Sequence, residues 1–321
     1  MNIGIIGLGR MGKNHLKTLQ QLKESSKTLN AVDDIYIYDT NAEETEVLSK
    51  QYSVKACCNV KDLRDVADAI IIATPTHTHY EIANYFIEYC KDVFIEKPIT
   101  STVEEAKIII ENIDKRDLIC MVGHVELFNP AILYLIEYLK GKSILSLSAE
   151  RISKVEKGRC FDVDAVRDLM IHDIDIILSM IHCKINKIAA VSNSKDLNDV
   201  FAILQFENDV TANLKVNRLA FERSRELYIN TDEEAIHLDF IKRKIDFHRP
   251  HVNKTLENEK YANQIIGVKE TIYFDGDSLK NELLHFLDCV QARTKPISNE
   301  CTAGHALEIA THIANNATKA R

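Results

Sequence analysis

"NIGIIGLGRMGKNH" fills residues 2–15, and its reading decides how the chain begins to fold. A short apolar run to Ile6 leads into Gly7-Leu8-Gly9-Arg10-Met11-Gly12. An amphipathic stretch, Lys13–Leu22, follows. Glycines at this spacing carry weight when they stand between a strand and a helix, as these do. Gly7 permits a tight turn, Gly9 lets a pyrophosphate approach the backbone, and Gly12 lets the helix pack closely on the strand. The unpaired N–H groups of the helix N-terminus, with Arg10 and Met11 in the same loop, then meet the anion.

The same rhythm continues to Gly123. Apolar runs "DIYIYD", "DAIIIAT", "DVFIEKP" and "LICMVG" alternate with amphipathic stretches at Ala42–Gln51, Tyr80–Cys90 and Val103–Ile113. Repeated strand–helix units imply a parallel sheet with helices on both faces, here an α/β Rossmann domain over residues 1–123. The second strand ends at Asp39. A carboxylate there accepts hydrogen bonds from the adenosine ribose hydroxyls and repels a 2′-phosphate. The following "TNAEE" offers no cation, so NAD is expected over NADP. The alternative for Asp39 is a cap on the helix from Asn41.

A chain of 321 residues suggests about two domains. The formal charge of −8 argues against a broad nucleic-acid face. No apolar run reaches membrane-spanning length and no signal-peptide pattern opens the chain, so a cytoplasmic protein without a membrane partner is expected. Eight cysteines include no CxxC pair, which removes the zinc-ribbon and thioredoxin-type motifs. His77 and His79 are spaced like a metal pair, but no companion ligands are visible and no metal is expected.

Residues 124–321 read differently. Asn129-Pro130 looks like an N-cap with proline at the first helical position, starting a helix to about Leu139. "ILSLSAERI", "ELYIN" and "AIHLDF" read as strands. "TANLKVN" alternates Ala212, Leu214 and Val216 against Thr211, Asn213, Lys215 and Asn217, and Asn208-Asp209 forms a hairpin tip before it. Helices over Ser278–Arg293 and Thr302–Lys319 close the chain. This half is expected to be an α+β domain with an open, mainly antiparallel sheet, whose uncovered face would make a homodimer or homotetramer. Between its strands lies "DLMIHDIDIILSMI", Asp168–Ile181. At about 100° per residue, Asp168, His172, Asp175 and Ser179 share a narrow stripe, with Asp173 on the far side. A helix apolar over the rest of its surface is buried, and ionised groups survive there only with a partner or a site.

With the glycine loop, three more stretches carry a resemblance: "ATPTHTHYEIA" at 73–83, "EKP" at 96–98, and Asp168 with His172 four residues on. Together they resemble the glucose-fructose oxidoreductase/inositol dehydrogenase (Gfo/Idh/MocA) family over essentially the whole chain. "MVGHVELFNPA" and "DLMIHDID" look most similar to its UDP-N-acetylglucosamine 3-dehydrogenase branch. The resemblance implies that Thr74, Pro75, Thr76 and His79 line the cofactor. It also maps the family's lysine onto Lys97, and its paired aspartate and histidine onto Asp168 and His172. Many members carry a Gly-Gly pair before this helix, where this chain has Asp164-Ala165.

Oxidising a secondary alcohol removes a hydride and a proton from one CH–OH group. His172 suits the base, with Asp168 orienting it or holding a substrate hydroxyl. Lys97, just past a parallel strand, can stabilise the developing alkoxide, and Pro98 directs the chain after it. Glu96 either pairs with Lys97 or contacts the nicotinamide end. His124, Glu126, Phe128 and Asn129 are candidates for substrate contact, Phe128 equally for plain core. Arg151, Arg159 and Arg167 suit a sugar diphosphate, because guanidinium forks match phosphate oxygens. The leading expectation is therefore an NAD-dependent dehydrogenase of a nucleotide-activated amino sugar, acting at carbon 3. A free sugar or cyclitol substrate is the alternative, and a non-catalytic nucleotide sensor is a third reading.

Overall fold

Six parallel strands stand in the order β3-β2-β1-β4-β5-β6, the arrangement of a doubly wound dinucleotide-binding sheet. They are β1 (Ile3–Ile6), β2 (Ile35–Tyr38), β3 (Lys55–Ala56), β4 (Ala69–Ile72), β5 (Asp92–Glu96) and β6 (Cys120–Gly123). The computed structural model describes residues 1–24, 32–154, 163–257 and 260–319. Helices α1 (Arg10–Glu24), α2 (Ala42–Tyr52), α3 (Val60–Val66), α4 (His79–Glu88) and α5 (Val103–Asp114) connect the strands. β1, β4, β5 and β6 are buried along their whole length, as strands covered on both faces must be. The short pieces β3 and α3 lie outside the five strands and intervening helices anticipated from periodicity. β3 has two exposed residues and so no apolar run to announce it.

The glycine loop forms the turn from β1 to α1. Gly7 has φ of +91°, a region that favours glycine. A Cβ on Gly12 would stand 1.8 Å from the Gly7 carbonyl oxygen, so the tight contact is with the turn itself. A Cβ on Gly9 would meet nothing within 4 Å.

The boundary expected at residue 123 falls differently. Residues 1–129 with 277–309 form one compact unit, and 130–276 with the chain from 310 form the other. The cause is the apolar face of α8 (Ser278–Ala292), where Leu283, Phe286 and Leu287 are buried. Phe286 meets Phe94 of β5 edge-on at 5.6 Å. Arg293, held at φ of 53° just past α8, pairs with Asp92 and donates to the Asp117 carbonyl. The segment after it joins the edge of β6, where Ser298 exchanges hydrogen bonds with the backbone of Val122. An edge strand that would otherwise be open is thereby covered. Most of the last helix, α9 (Glu300–Asn316), belongs to this unit too.

In the second unit the described strands form a nine-stranded sheet in the order β14-β13-β12-β11-β7-β10-β9-β8-β15. They are β7 (Ile144–Lys154), β8 (Ile185–Ser192), β9 (Asp199–Phe206), β10 (Thr211–Ala220), β11 (Ser224–Thr231), β12 (Ala235–Asp239), β13 (Lys244–Glu257), β14 (Lys260–Tyr273) and β15 (Thr318–Lys319). Pairing is antiparallel except for β7 with β10 and β8 with β15. The alternation read from "TANLKVN" holds: Ala212, Leu214 and Val216 are buried, and Asn213 is exposed. Their neighbours Leu147, Ala149, Leu204, Leu227, Ile229, Leu238 and Phe247 are buried with them. Helix α6 (Pro130–Tyr138) lies on this face, with the Tyr138 ring tilted against Phe247 at 5.0 Å. A π-helical turn, Val166–Met170, then runs into α7 (Ile171–Met180). The opposite face exposes Val191, Phe201, Ile203 and Tyr228. Among the described residues no helix is long and apolar enough to cross a membrane.

Replacing Gly12 with Ala should destabilise the first unit by about 1–3 kcal/mol, the usual cost of forcing atoms into filled space. Gly9→Ala should change stability by less than about 0.5 kcal/mol, because its Cβ enters open space. Urea unfolding of both variants checks this; equal losses would contradict the packing described.

Candidate active site

Parallel strands deliver polar side chains to their carboxyl edge, and the first unit places its candidates there. Asp39 follows β2. Its Oδ2 accepts from the Leu8 N–H at 2.6 Å and its Oδ1 from the Asn41 N–H at 2.9 Å. The carboxylate thus ties the glycine loop to the end of β2. Asn41, not Asp39, caps α2, through the Glu44 N–H. Arg10 is exposed in the glycine loop and Met11 half-buried.

Thr74, Pro75 and Thr76 follow β4 in a short turn. Thr78 Oγ1 lies 2.8 Å from both the Thr74 hydroxyl and the Pro75 carbonyl. His79 was expected to line the cofactor, and here the structure corrects the expectation. The ring is buried, with Nδ1 2.8 Å from the Pro98 carbonyl and Nε2 2.9 Å from the Thr74 carbonyl. It ties two turns together and leaves no ring nitrogen for a ligand. Burial pushes its pKa down, against the pull of the two carbonyls and of Glu96, and burial prevails. His77, by contrast, is exposed, so the two histidines do not converge.

Glu96 ends β5 and Lys97 follows, half-buried, its peptide bond to Pro98 cis. Glu96 does approach Lys97, through the Lys97 N–H at 3.3 Å. Its main partner was not foreseen: His15 of α1, fully buried, places Nε2 2.6 Å from Glu96 Oε1. Burial alone would raise the Glu96 pKa. The His15 hydrogen bond, then the charges of His15, Lys97 and His79, outweigh it and hold the carboxyl below the ordinary glutamate value. Helical spacing could have drawn attention to His15, which shares a buried face with Leu16, Leu19 and Leu22. Beyond β6, His124, Phe128 and Asn129 are buried and Glu126 half-buried. Phe128 packs against His285, and its carbonyl accepts from Asn281. Of its two readings, plain core is the one these contacts favour.

The remaining candidates lie in the second unit. Asp164 Oδ1 accepts the N–H groups of Val166 and Arg167 and so starts the π-helical turn, in the place where Gly-Gly was noted as absent. Asp168 sits in that wide turn and His172, 9% exposed, in the α-helix beyond. The register between them is therefore not that of one regular helix. Asp168 Oδ2 is 3.4 Å from Arg218 Nη1, and Arg218 also donates to the Val163 carbonyl and to Asn198 Oδ1. Arg218 was missed, although its inward position two residues after Val216 was the available signal.

Two of the three phosphate-directed arginines are corrected. Arg151 is 2% exposed and holds Asp173 with Nε and Nη2 at 2.8–3.2 Å. That pair answers why the apolar helix keeps Asp173: a buried charge requires its counter-charge. Arg167 pairs with Asp164 at 2.6 Å. Arg159 lies outside the described residues. Ser179 turns its hydroxyl back to the Ile176 carbonyl.

A model of an oxidoreductase family with an NAD-binding Rossmann fold, GFO_IDH_MocA, matches residues 1–124. The first domain belongs to the Gfo/Idh/MocA oxidoreductases. The chain is an NAD-binding oxidoreductase, and its glycine loop, the open approach at Gly9 and the Asp39 carboxylate all fit the cofactor. Over 309 residues it is 29% identical to a UDP-N-acetylglucosamine 3-dehydrogenase of Acidithiobacillus ferrooxidans, covering 95% of this chain and 93% of the relative. It is 24% identical to a Bacillus subtilis scyllo-inositol 2-dehydrogenase (NAD(+)), covering 97% and 92%. A solved structure of the Acidithiobacillus enzyme shares the fold at a TM-score of 0.84 and 24% identity, over 99% of this chain and 97% of that one. A levoglucosan dehydrogenase solved with NADH shares it at 0.81 and 17%, over 99% and 96%.

The depressed His79 pKa has a consequence for stability. Its folded-state value lies below the ordinary 6.5, so the unfolded chain binds the proton first as the pH falls. The contribution of His79 is complete above the unfolded-chain value of 6.5 and is lost as the pH falls from there through the folded-state pKa. The stability gap between wild type and His79→Gln, measured by urea unfolding, should narrow from pH 8 to pH 5. A gap that stays constant would show that His79 titrates alike in both states.

Proposed function

We propose that the protein oxidises a secondary ring hydroxyl of a nucleotide-activated amino sugar, UDP-N-acetylglucosamine or a close analogue, at carbon 3. The observation that carries this reading is the end-to-end similarity to a UDP-N-acetylglucosamine 3-dehydrogenase. It is supported by Lys97 at the carboxyl end of β5, in the same unit as the glycine loop.

Bound NAD supplies the hydride acceptor, held by the Gly7–Gly12 loop, Asp39 and the Thr74–Thr76 turn. Asp39 without a neighbouring cation in "TNAEE" favours NAD over NADP. Lys97 presents its ammonium to the alcohol oxygen and stabilises charge as the O–H proton leaves. His172 takes that proton, and Asp168, steadied by Arg218, orients the imidazole or a substrate hydroxyl.

A free sugar or inositol is the second reading, and one observation favours it. Arg151 is committed to Asp173 and Arg167 to Asp164, which withdraws two groups from a sugar diphosphate. Comparing kcat/KM for UDP-N-acetylglucosamine, N-acetylglucosamine and scyllo-inositol separates the two. The nucleotide sugar should be strongly preferred, and comparable values would transfer the assignment. With the best substrate, His172→Asn should lose about 10²–10⁴-fold in kcat at nearly unchanged NAD affinity, the usual range for a general base. A folded variant within about threefold of wild type, far short of that range, would remove His172 from the role.

The open sheet face is the proposed site of self-association into a homodimer or homotetramer. Phe201 and Ile203, 42% and 51% exposed on adjacent positions of one face, support this. Light scattering should report more than one chain at micromolar concentration, and Phe201→Lys with Ile203→Lys should shift it toward monomer. A monomeric wild type would refute the assignment.

A further inference from the structure

We propose that His15 is a positioning residue for Lys97 and acts through Glu96; the inference rests on the role given to Lys97 above. Within the first unit, His15 is the point where the nucleotide-binding helix reaches the turn that carries the lysine.

The two residues are separated by 81 positions and meet in the interior. His15 is fully buried. Its Nδ1 has no hydrogen-bond partner, whereas Nε2 faces Glu96 Oε1 at 2.6 Å, so the ring proton belongs on Nε2. Phe94 holds the ring edge-on at 5.1 Å. The other carboxylate oxygen is constrained as well. Glu96 Oε2 accepts from the Lys97 N–H, and a Cβ on Gly123 would come within 3.1 Å of it. The carboxylate therefore has one fitted place, with a donor on each oxygen. On the far side of the turn, His79 Nδ1 lies 2.8 Å from the Pro98 carbonyl. One imidazole thus holds the chain just before Lys97 through a side chain, and another holds it just after through the backbone.

A buried carboxylate deprived of its donor takes up a proton. Glu96 would then cease to be the anion beside Lys97, and the turn would lose its anchor on α1. Packing alone makes a different forecast. If His15 only filled space, an apolar residue of similar size would serve, and a polar one would not.

Two substitutions separate these cases. His15→Leu keeps an apolar side chain on the buried face and removes the donor. His15→Gln places an amide nitrogen near the position of imidazole Nε2. Single-turnover hydride transfer should slow by about tenfold or more in His15→Leu, the scale of one lost charge-assisted hydrogen bond. NAD affinity, titrated separately, should move much less. His15→Gln should recover most of the lost rate. At neutral pH, infrared difference spectra should show a protonated carboxyl band in His15→Leu. The band should be absent from wild type and His15→Gln, and should disappear when Glu96→Gln is added to His15→Leu.

Three results would each overturn the proposal: full-rate transfer by His15→Leu, His15→Gln as slow as His15→Leu, or a loss of NAD affinity matching the loss of rate. Absence of the carboxyl band from His15→Leu would also overturn it. Lys97→Met distinguishes failure of the underlying reading. If that variant transfers hydride at the wild-type rate, the role of Lys97 is wrong, while the carboxyl band still reports whether His15 keeps Glu96 ionised.

Discussion

A sheet buried on both faces leaves one place for polar chemistry, its carboxyl edge, and the first unit is organised by that constraint. β1, β4, β5 and β6 have no exposed residue, so every side chain along them is committed to the interior. The residues proposed above to hold a nucleotide or meet an alcohol lie where strands end: Gly7–Gly12, Asp39, Thr74–Thr76 and Lys97 follow a strand, and Glu96 closes one. The constraint also governs spacing. Gly12 can stand against the Gly7 carbonyl only because neither carries a side chain there, and that contact sets where α1 begins. Once α1 is placed, His15 lies over the end of β5.

Three buried carboxylates, two in the first unit and one in the second, each have a counter-charge or a set of donors. Glu96 has His15 and the Lys97 N–H, Asp92 has Arg293, and Asp173 has Arg151. A fully buried pair such as Asp173 with Arg151 adds little net stability over apolar packing, but removing a single partner costs about 3–5 kcal/mol. The value of these pairs lies in geometry. Asp92 with Arg293 ties a strand of the sheet to the chain just past α8. Asp173 with Arg151 fixes α7 on β7, and with it the helix that carries His172. Asp173 and Ser179 of that helix thus have interior partners, and the chemistry proposed above falls to His172 with Asp168 of the preceding turn.

The second unit applies the opposite economy. Its sheet buries one face against α6 and α7 and leaves the other uncovered among the described residues. The inward face accepts large apolar side chains and, at Arg151 and Arg218, two arginines with dedicated partners. Arg218 holds the Val163 carbonyl and approaches Asp168, so a strand of the sheet steadies the turn that begins at Asp164. A π-helical turn there takes Asp168 out of the regular register of the helix that carries His172, a local distortion frequent at functional sites.

Much of this was legible in the amino-acid order alone. Apolar runs located five of the six parallel strands, the glycine loop named the nucleotide-binding turn, and period-two alternation gave the buried face of β10. Those features are local: a strand's burial or a helix's face is written in residues a few positions apart. What the order could not supply is the choice of partner. His15 and Glu96 are 81 positions apart, Asp92 and Arg293 201, and Arg151 and Asp173 22. A histidine or arginine on an apolar face announces that a partner is required without saying which. The same holds for α8, whose amphipathic pattern was plain but whose place beside the first sheet was not. Periodicity tells a segment which side to bury; only long-range packing decides against what.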